Sequence, residues 1–219
     1  MQIAIDGPGS SGKSSIAKLL ARKLNFLYID TGAMYRALAL YTIEKEIQED
    51  KQAIVNSLKD ININLAYKKG SKNIFKVFLN NRDVTDKIKT QQVGEIASKI
   101  IANIPEARDK VTKLSQEQAR LGNTVMDGRD IGTVVLPNAE LKIFLTADVN
   151  VRAQRRLDEL LAKGHKHSLE EIKAEITARD HRDITREISP LKQADDARVI
   201  DATYMTLEEV TDYIAGLCQ

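Results

Sequence analysis

The stretch that decides the fold is Ile3-Ala-Ile-Asp-Gly-Pro-Gly-Ser-Ser-Gly-Lys-Ser-Ser15. Its apolar beginning predicts a short buried strand, its glycine-rich middle predicts a loop, and its end predicts the start of a helix. Gly7, Gly12, Lys13 and Ser14 stand at the spacing G-x-x-x-x-G-K-[ST], which is typical of a phosphate-binding loop, or P-loop. A chance match in a Gly/Ser turn is the alternative, but the strand and helix on either side argue against it. The stretch therefore predicts nucleotide binding at the first strand–helix turn.

The chemistry of this loop is that of a polyphosphate cradle. Glycines let the backbone bend around phosphates, and the N–H groups of the following helix start favour an anion. Lys13 is predicted to reach the β- and γ-phosphates of ATP, and the Ser14 hydroxyl to ligate Mg²⁺. The predicted ATP-binding residues are Gly7, Pro8, Gly9, Ser10, Ser11, Gly12, Lys13, Ser14 and Ser15.

Elements on either side of the loop indicate a doubly wound α/β fold. Apolar residues at helical spacing predict a helix over residues 14–24, and an apolar run predicts a strand over 26–29. A second helix is expected from Thr31, as its N-cap, through residue 43. Strands that alternate with helices through short links favour a parallel sheet.

Residues 61–87 break this pattern. Residues 61–67 and 75–79 alternate apolar and polar side chains around the polar turn 68–73, which predicts an antiparallel hairpin, and residues 82–85 are a candidate third strand. Further along the chain, strands are predicted over 124–126, 141–145 and 198–201, and helices over 93–101, 105–122, 149–161, 169–184 and 207–217.

The expected architecture is an α/β P-loop three-layer sandwich with a parallel central sheet, a small antiparallel β insertion and a helical lid. The core is expected over about residues 1–60, 88–150 and 185–219, the insertion over about 61–87 and the lid over about 150–184.

Composition limits the possible partners. The 33 basic residues are nearly balanced by 31 acidic ones, so the net charge is +2 and predicts neither nucleic-acid nor membrane binding. No apolar run is long enough to cross a bilayer, and the first strand begins at once, so no signal peptide is expected. The single cysteine, Cys218, fits a reducing compartment. We therefore expect a cytoplasmic protein, acting as a monomer on small molecules.

Two sets of charged residues extend the predicted site. Each of two consecutive predicted helices carries three arginines at a spacing that puts them on one face: Arg152, Arg155 and Arg156, then Arg179, Arg182 and Arg186. These arginines could belong to a lid that closes over phosphates, or they could simply form solvent-exposed helix faces. A second set of polar residues lies at or just after predicted strand ends: Thr31, Arg36, Asp127, Arg129 and Asp130. Ligands bind at this edge in open α/β sheets, so these residues are candidates for ligand binding. The alternative is that they only cap helices and form ion pairs that close the loops. Asp127 is in addition a candidate for the Mg²⁺ shell.

Four stretches together resemble the bacterial cytidylate kinases over essentially the whole chain. They are Ile5-Asp-Gly-Pro-Gly-Ser-Ser-Gly-Lys-Ser14, Asp30-Thr-Gly-Ala-Met-Tyr-Arg36, Asp127-Gly-Arg-Asp-Ile-Gly-Thr-Val-Val135, and Arg179-Asp-His-Arg-Asp-Ile-Thr-Arg186 followed by Ser189-Pro-Leu191. The resemblance implies Mg²⁺-dependent transfer of the γ-phosphoryl group of ATP to CMP or dCMP, with CDP or dCDP and ADP as products.

Residue roles follow from the resemblance by position. Arg36 and Arg129 would hold the acceptor phosphate, and Ser98, Arg108 and Asp130 would read the cytosine edge. The pyrimidine and sugar pocket would be lined by Thr31, Arg179, Asp183 and Arg186. Catalysis would fall to Lys13 and Arg129, with Arg155 and Arg156 contributed by the lid.

Two other functions remain open at this stage. A P-loop kinase for UMP, AMP or an alcohol is one, and an alcohol acceptor would make use of Asp127 or Asp130 as a base. A P-loop NTPase that acts as a nucleic-acid-binding or regulatory switch is the other, although the balanced charge and the lack of an aromatic-rich basic strip argue against it.

Overall fold

The structure, a computed structural model, describes residues 1–67, 75–162 and 164–218. Eight strands occur in this part of the chain: β1 (Gln2–Asp6), β2 (Leu27–Asp30), β3 (Ile63–Tyr67), β4 (Phe75–Leu79), β5 (Arg82–Asp83), β6 (Thr124–Gly128), β7 (Leu141–Thr146) and β8 (Arg198–Asp201). The α-helices are α1 (Lys13–Leu24), α2 (Thr31–Glu44), α3 (Lys51–Ser57), α4 (Gln91–Lys99), α5 (Pro105–Ala119), α6 (Val149–Leu161), α7 (Leu169–Thr185) and α8 (Leu207–Gly216).

The central sheet is parallel and has the strand order β2-β6-β1-β7-β8. Its middle strand, β1, pairs with β6 and β7, so that Ile5 stands opposite both Asp127 and Ile143. Because all strands run the same way, their carboxyl ends meet at one edge, which is where the P-loop and the segment after Asp127 lie. The predicted parallel sheet is confirmed.

Helices cover both faces of this sheet, as the alternation of side chains along β1 requires. Ile3 and Ile5 belong to a buried cluster with α1 and α8, whereas Ala4 belongs to a second cluster with α2 and α5. The strands are apolar on both faces, as expected for a sheet covered on both sides. The predicted three-layer arrangement is therefore confirmed.

The β insertion forms a separate three-stranded antiparallel sheet in the order β3-β4-β5. Leu65 pairs with Val77, and the buried side chains Ile63, Leu65, Val77 and Leu79 join the cluster of α2 and α5. The pairing of the two predicted hairpin strands is confirmed. The predicted turn over 68–73 lies outside the described residues.

Helices α6 and α7 pack on each other through a small apolar cluster of their own, centred on Ala153, Ile172 and Ile176. The first turn of α7 is stabilised by a capping box between Ser168 and Glu171. These helices correspond to the predicted ones almost residue for residue. That they move as a lid remains a prediction.

Three local features differ from the sequence-based expectations. The N-cap of α2 is Asp30, whose carboxylate accepts from the Ala33 N–H, so the prediction of Thr31 was wrong. Helix α3 was missed, because it has seven residues and only Ile54 is buried, which is too short for a helical stripe. A π-helix spans Ile131–Val135, directly after the predicted central loop residue Asp130.

No helix in the described part of the chain is long and apolar enough to span a membrane.

Candidate active site

The P-loop links the end of β1 to the start of α1. At Gly7 the φ angle is +152°, and a Cβ atom there would lie 2.0 Å from the carbonyl oxygen of Leu145 in β7. Gly12 has a left-handed φ of +91° and precedes the first residue of α1. Position 7 has room only for glycine, and the left-handed backbone at position 12 is one that glycine adopts more easily than other residues. The shape of the loop therefore follows directly from the sequence.

Lys13 is buried and its ammonium group donates to the carbonyl of Pro8, at the opposite side of the loop, over 2.6 Å. Burial lowers its pKa well below the usual value, and the nearby Arg129 lowers it further, while Asp127 acts in the opposite direction. A bound polyanion would reverse this, because negative charge close to a buried ammonium favours the protonated form.

Asp127 lies at the carboxyl end of β6 and accepts two side-chain hydrogen bonds. The Ser14 hydroxyl donates to its Oδ2 over 2.6 Å, and the Tyr28 hydroxyl donates to its Oδ1 over 2.8 Å. Burial and the neighbouring Asp30 raise the pKa of the Asp127 carboxyl, with Ser14 and Lys13 acting against them. A hydroxyl and a buried carboxylate side by side are oxygen donors of the kind that Mg²⁺ prefers. Both predicted metal ligands therefore lie together.

A second buried carboxylate, Asp6, accepts from the N–H groups of Ile131 and Gly132. Burial raises its pKa to about 6, although these two N–H donors act to lower it. Asp6 thereby ties the end of β1 to the start of the π-helix and fixes the position of Asp130, which precedes it.

The P-loop separates two cavities. Cavity A, of about 560 Å³, lies between the loop, α6 and the start of α8. It is lined by Ser10, Ser11, Gly12, Lys13, Ser14, Ser15, Arg155, Arg156, Asp158, Glu159, Met205, Thr206 and Leu207. Arg155 also supports the wall, because its Nη2 donates to the carbonyl of Ala202 over 2.8 Å.

Cavity B, of about 260 Å³, lies on the other side of the loop, between α2, α4 and α7. It is lined by Ser10, Lys13, Ser14, Asp30, Thr31, Gly32, Tyr35, Arg36, Gly94, Ala97, Ser98, Ala102, Arg108, Asp127, Gly128, Arg129, Asp130, Arg179, Asp183 and Arg186. Ser10, Lys13 and Ser14 line both cavities. Two ligands bound in A and B would therefore meet at these three residues.

Cavity B carries an excess of positive charge. Its described lining has six cationic side chains and four carboxylates. Three arginines are paired closely: Arg108 with Asp130 at 2.5 Å, Arg129 with Asp183 at 2.7 Å and Arg36 with Asp30 at 3.0 Å. The ion pairs within the cavity leave part of this positive charge unbalanced, which favours binding of an anionic ligand.

Arg179 and Arg186 are the less tightly paired arginines of this cavity. Their nearest carboxylate oxygens, on Asp183 and Asp130, are 3.6 to 4.0 Å away. Burial and the nearby Arg108 lower the pKa of Arg186, whereas Asp130 and Asp183 act to raise it. Both guanidinium groups therefore have donors left for a ligand.

Three buried polar atoms on this lining find no hydrogen-bond partner among the described residues: Ser98 Oγ, Arg108 Nε and Arg186 Nη2. Buried polar groups without partners are costly, and native proteins retain few of them. They come from three distant segments, α4, α5 and the end of α7, and line the same small cavity. Their convergence is the signature of a polar ligand site.

All residues predicted to bind the acceptor line cavity B. Of the nine predicted P-loop residues, the six from Ser10 to Ser15 line cavity A, whereas Gly7, Pro8 and Gly9 line neither cavity. The arginines of α6 do not act as one group. Arg155 and Arg156 line cavity A, but Arg152 is buried against Gly9 and Asp180. Arg182 of α7 lies outside both linings. Spacing along a helix placed these side chains on one face without showing which neighbours each one reaches.

Sequence reasoning missed several lining residues. Asp30 and Tyr35 stand inside the stretch quoted for α2, and Tyr35 packs its ring 5.5 Å from the Arg108 guanidinium. Tyr28, which holds Asp127, reads as an ordinary buried strand residue. Met205, Thr206 and Leu207 belong to the turn before α8, and no motif marks them.

Known proteins resemble this chain over nearly its whole length. The family model described as cytidylate kinase matches residues 3–219. A cytidylate kinase of Carboxydothermus hydrogenoformans is 49% identical over 211 residues, which cover 96% of this chain and 93% of that protein. One from Geobacillus sp. (strain WCH70) is 46% identical over 215 residues, covering 98% and 94%.

The fold is similar to that of a solved structure as well. The crystal structure of an uncharacterized protein from Eubacterium ventriosum matches 99% of this chain and 97% of its own, with a TM-score of 0.54 and 13% identity. That likeness concerns the fold alone. The match over residues 3–219 and the relatives at 46–49% identity go further: this chain is a kinase and belongs to the cytidylate kinase family.

Proposed function

We propose that this enzyme transfers the γ-phosphoryl group of ATP to CMP or dCMP, giving ADP and CDP or dCDP, in pyrimidine nucleotide metabolism. ATP occupies cavity A and the acceptor occupies cavity B. The observation that carries the proposal is the wall shared by the two cavities, formed by Ser10, Lys13 and Ser14. The names of the relatives at 46–49% identity support the choice of cytidylate as the acceptor.

The acceptor phosphate needs no general base. Its second pKa is about 6, so near neutral pH it is largely a dianion that attacks directly. An acceptor oxygen forms a bond to the γ-phosphorus, the bond from that phosphorus to the β,γ-bridging oxygen breaks, and ADP leaves with the electron pair. The obstacle is repulsion between two anions, and Arg36, Arg129 and Lys13 offset it by holding both in line.

Cytosine recognition is assigned to the polar atoms at the far end of cavity B. The exocyclic amino group of cytosine donates, and its ring nitrogen and carbonyl accept. Asp130 is the acceptor for the amino group, while Ser98 and Arg108 supply donors for the accepting edge. Uracil has a carbonyl in place of the amino group, so Asp130 would face a second acceptor. We infer selection for cytosine over uracil on this basis.

The sugar and the rest of the pyrimidine lie along α7 and the start of α2. Asp183 accepts from Arg129 and lies 3.6 Å from Arg186, which leaves carboxylate lone pairs for sugar hydroxyls. Arg129 and Arg179 outweigh the effect of burial and hold the pKa of Asp183 below its usual range, so it stays an acceptor. Thr31, Arg179 and Arg186 complete this part of the pocket.

The donor phosphates rest on the P-loop amides from Ser10 to Ser15, which line cavity A. Lys13 contacts the β- and γ-phosphates, and Arg155 and Arg156 face them from α6 across cavity A. Ser14 and Asp127 would hold Mg²⁺, which when bound neutralises charge on the phosphates. The proposal includes a lid over about residues 150–184 and a cytoplasmic location. It also includes a monomeric state, which is supported by the lining of both cavities by a single chain.

Tyr28 provides a prediction about the metal site. Tyr28→Phe removes the hydroxyl that donates to Asp127 Oδ1 and leaves a buried carboxylate oxygen without that partner. Loss of such an outer partner typically weakens metal binding by about 10- to 100-fold. We expect weaker Mn²⁺ binding in the presence of ADP, measured by electron paramagnetic resonance. Tyr41→Phe, in α2, is the matched control, and equal Mn²⁺ affinities in wild type and Tyr28→Phe would contradict the assignment.

The structure favours a phosphate acceptor over an alcohol. An alcohol kinase needs a free carboxylate as a base, but Asp127 already accepts from Ser14 and Tyr28, and Asp130 is paired with Arg108. The test of the proposed function is product analysis. Incubation with ATP, Mg²⁺ and CMP should yield CDP and ADP in equal amounts, and EDTA should stop both. ADP formation without CDP would refute it.

A further inference from the structure

A buried ion pair behind the P-loop holds both backbone polar groups of Gly9. The Gly9 N–H donates to Asp180 Oδ1 over 2.9 Å, and the Gly9 carbonyl accepts from Arg152 Nη1 over 2.9 Å. Arg152 Nη1 also donates to Asp180 Oδ2 over 2.5 Å. We call these three residues the Gly9 clamp.

The clamp joins three segments of the chain. Arg152 lies in α6 and also donates through Nε to the carbonyl of Ala147, just before that helix. Asp180 lies in α7, and Gly9 lies in the P-loop between β1 and α1. Both charged side chains are about nine-tenths buried, so these hydrogen bonds are charge-assisted and little screened by water.

The next residue shows why the loop needs such support. Ser10 has a φ of +57°, a left-handed conformation that is costly for a residue with a side chain. Strained residues persist only where their surroundings hold them. Ser10 is also one of the three residues that line both cavities. The clamp therefore fixes the backbone directly before the strained turn that separates cavity A from cavity B.

Helix α7 carries the clamp and part of cavity B at once. Asp180 reaches Gly9, while Arg179, Asp183 and Arg186 of the same helix segment line cavity B. Any shift of α7 that follows filling of cavity B is transmitted to the P-loop through a rigid pair of hydrogen bonds. If filling of cavity B shifts this shared element, the two sites are coupled, and the coupling acts equally in both directions.

We propose that Arg152 and Asp180 are positioning residues, which set the shape of the P-loop through Gly9 and link acceptor binding in cavity B to donor binding in cavity A. The assignment of ligands to the cavities rests on the proposed function. The clamp does not touch the transferred group, and it acts by positioning the backbone of the loop.

The test replaces the pair by apolar residues of similar size, Arg152→Met with Asp180→Leu. Such replacements of buried pairs often preserve stability, whereas removing one partner leaves an uncompensated charge. Lys142→Met is the control, because it removes a buried lysine that pairs with Asp196 and lies outside both cavities. If the double variant does not fold, Arg152→Gln with Asp180→Asn is used, which replaces both charges by amides and leaves no buried charge unpaired.

Two readouts separate the clamp from the proposed function. In the protein without ligands, hydrogen exchange of the Gly9 amide should be at least about tenfold faster in the variant, because its charged acceptor is gone. In the second readout, the Kd of a non-hydrolysable ATP analogue is measured by calorimetry with and without CMP. In wild type we expect CMP to tighten analogue binding by about fivefold or more, and in the variant this ratio should fall towards one.

The possible outcomes all bear on the clamp. An unchanged ratio in the folded variant, or the absence of any linkage in wild type, would overturn the coupling. Unchanged Gly9 exchange would overturn the positioning role. If wild type binds neither nucleotide, the proposed function fails, and the exchange rate of Gly9 alone decides whether the pair positions the loop.

Discussion

Lys13→Ala is expected to lower kcat for phosphoryl transfer by about 1000-fold, the loss typical of removing one preorganised charge-stabilising donor. The ammonium group already lies inside the P-loop, held by the carbonyl of Pro8, and lines both cavities. It is therefore placed to contact the γ-phosphoryl group before, during and after transfer. The free energy of unfolding should change little. Burial lowers the pKa of this ammonium, which means that its charged form is disfavoured in the folded protein without ligand, so its removal should cost little stability.

The control for this substitution is Lys23→Ala, in the last turn of the same helix, where the side chain pairs with Asp212 at the surface. It should retain wild-type kcat. The measurement is the initial rate of ADP formation at saturating ATP and CMP, together with the melting temperature of each variant. A folded Lys13→Ala protein that turns over CMP at the wild-type rate would refute the role of this lysine.

Arg186→Ala is expected to raise the KM for CMP and dCMP by about 10- to 100-fold, the range for loss of a hydrogen bond to a charged group. The Arg186 side chain is 8% exposed, and its Nη2 lies 3.9 Å from Asp130 Oδ1 but has no hydrogen-bond partner among the described residues, so it can donate to a ligand in cavity B. The KM for ATP should change far less, because Arg186 lies outside the lining of cavity A.

Arg186→Lys and Arg198→Ala test the specificity of this effect. Lysine keeps the charge but lacks the planar fork of donors, so an intermediate KM is expected. Arg198, in β8, is exposed and its removal should leave both KM values unchanged. Unchanged kinetics for CMP and dCMP in Arg186→Ala, or equal losses for CMP and ATP, would contradict the placement of Arg186 on the acceptor side.

The parts of the molecule that sequence reasoning reached are those with local physical causes. The P-loop is one, because Gly7 and Gly12 are required by backbone geometry within a few residues. The strands of the parallel sheet are another, because a continuous apolar run marks a strand buried on both faces. The resemblance to a family then supplied Ser98 and Arg108, which no local pattern marks.

Tertiary structure decided the rest. Thr31 has the composition of an N-cap, but its hydroxyl donates to the carbonyl of Asp127, and the carboxylate of Asp30 takes the capping position instead. Arg152 and Arg155 are three residues apart and look equivalent along the chain. One is buried against Gly9, and the other supports the turn at Ala202, because different segments pack against each part of α6.

The most direct test of the account is a comparison of acceptors. ADP formation from ATP is measured in a coupled assay with CMP, dCMP, UMP, AMP and GMP, each offered separately to the purified enzyme in the presence of Mg²⁺. We expect rapid ADP formation with CMP and dCMP, and much slower formation with the other three, because Asp130 and Arg108 are proposed to read the edge of cytosine. ADP formation that depends on none of the five, or that is fastest with AMP or GMP, would contradict it.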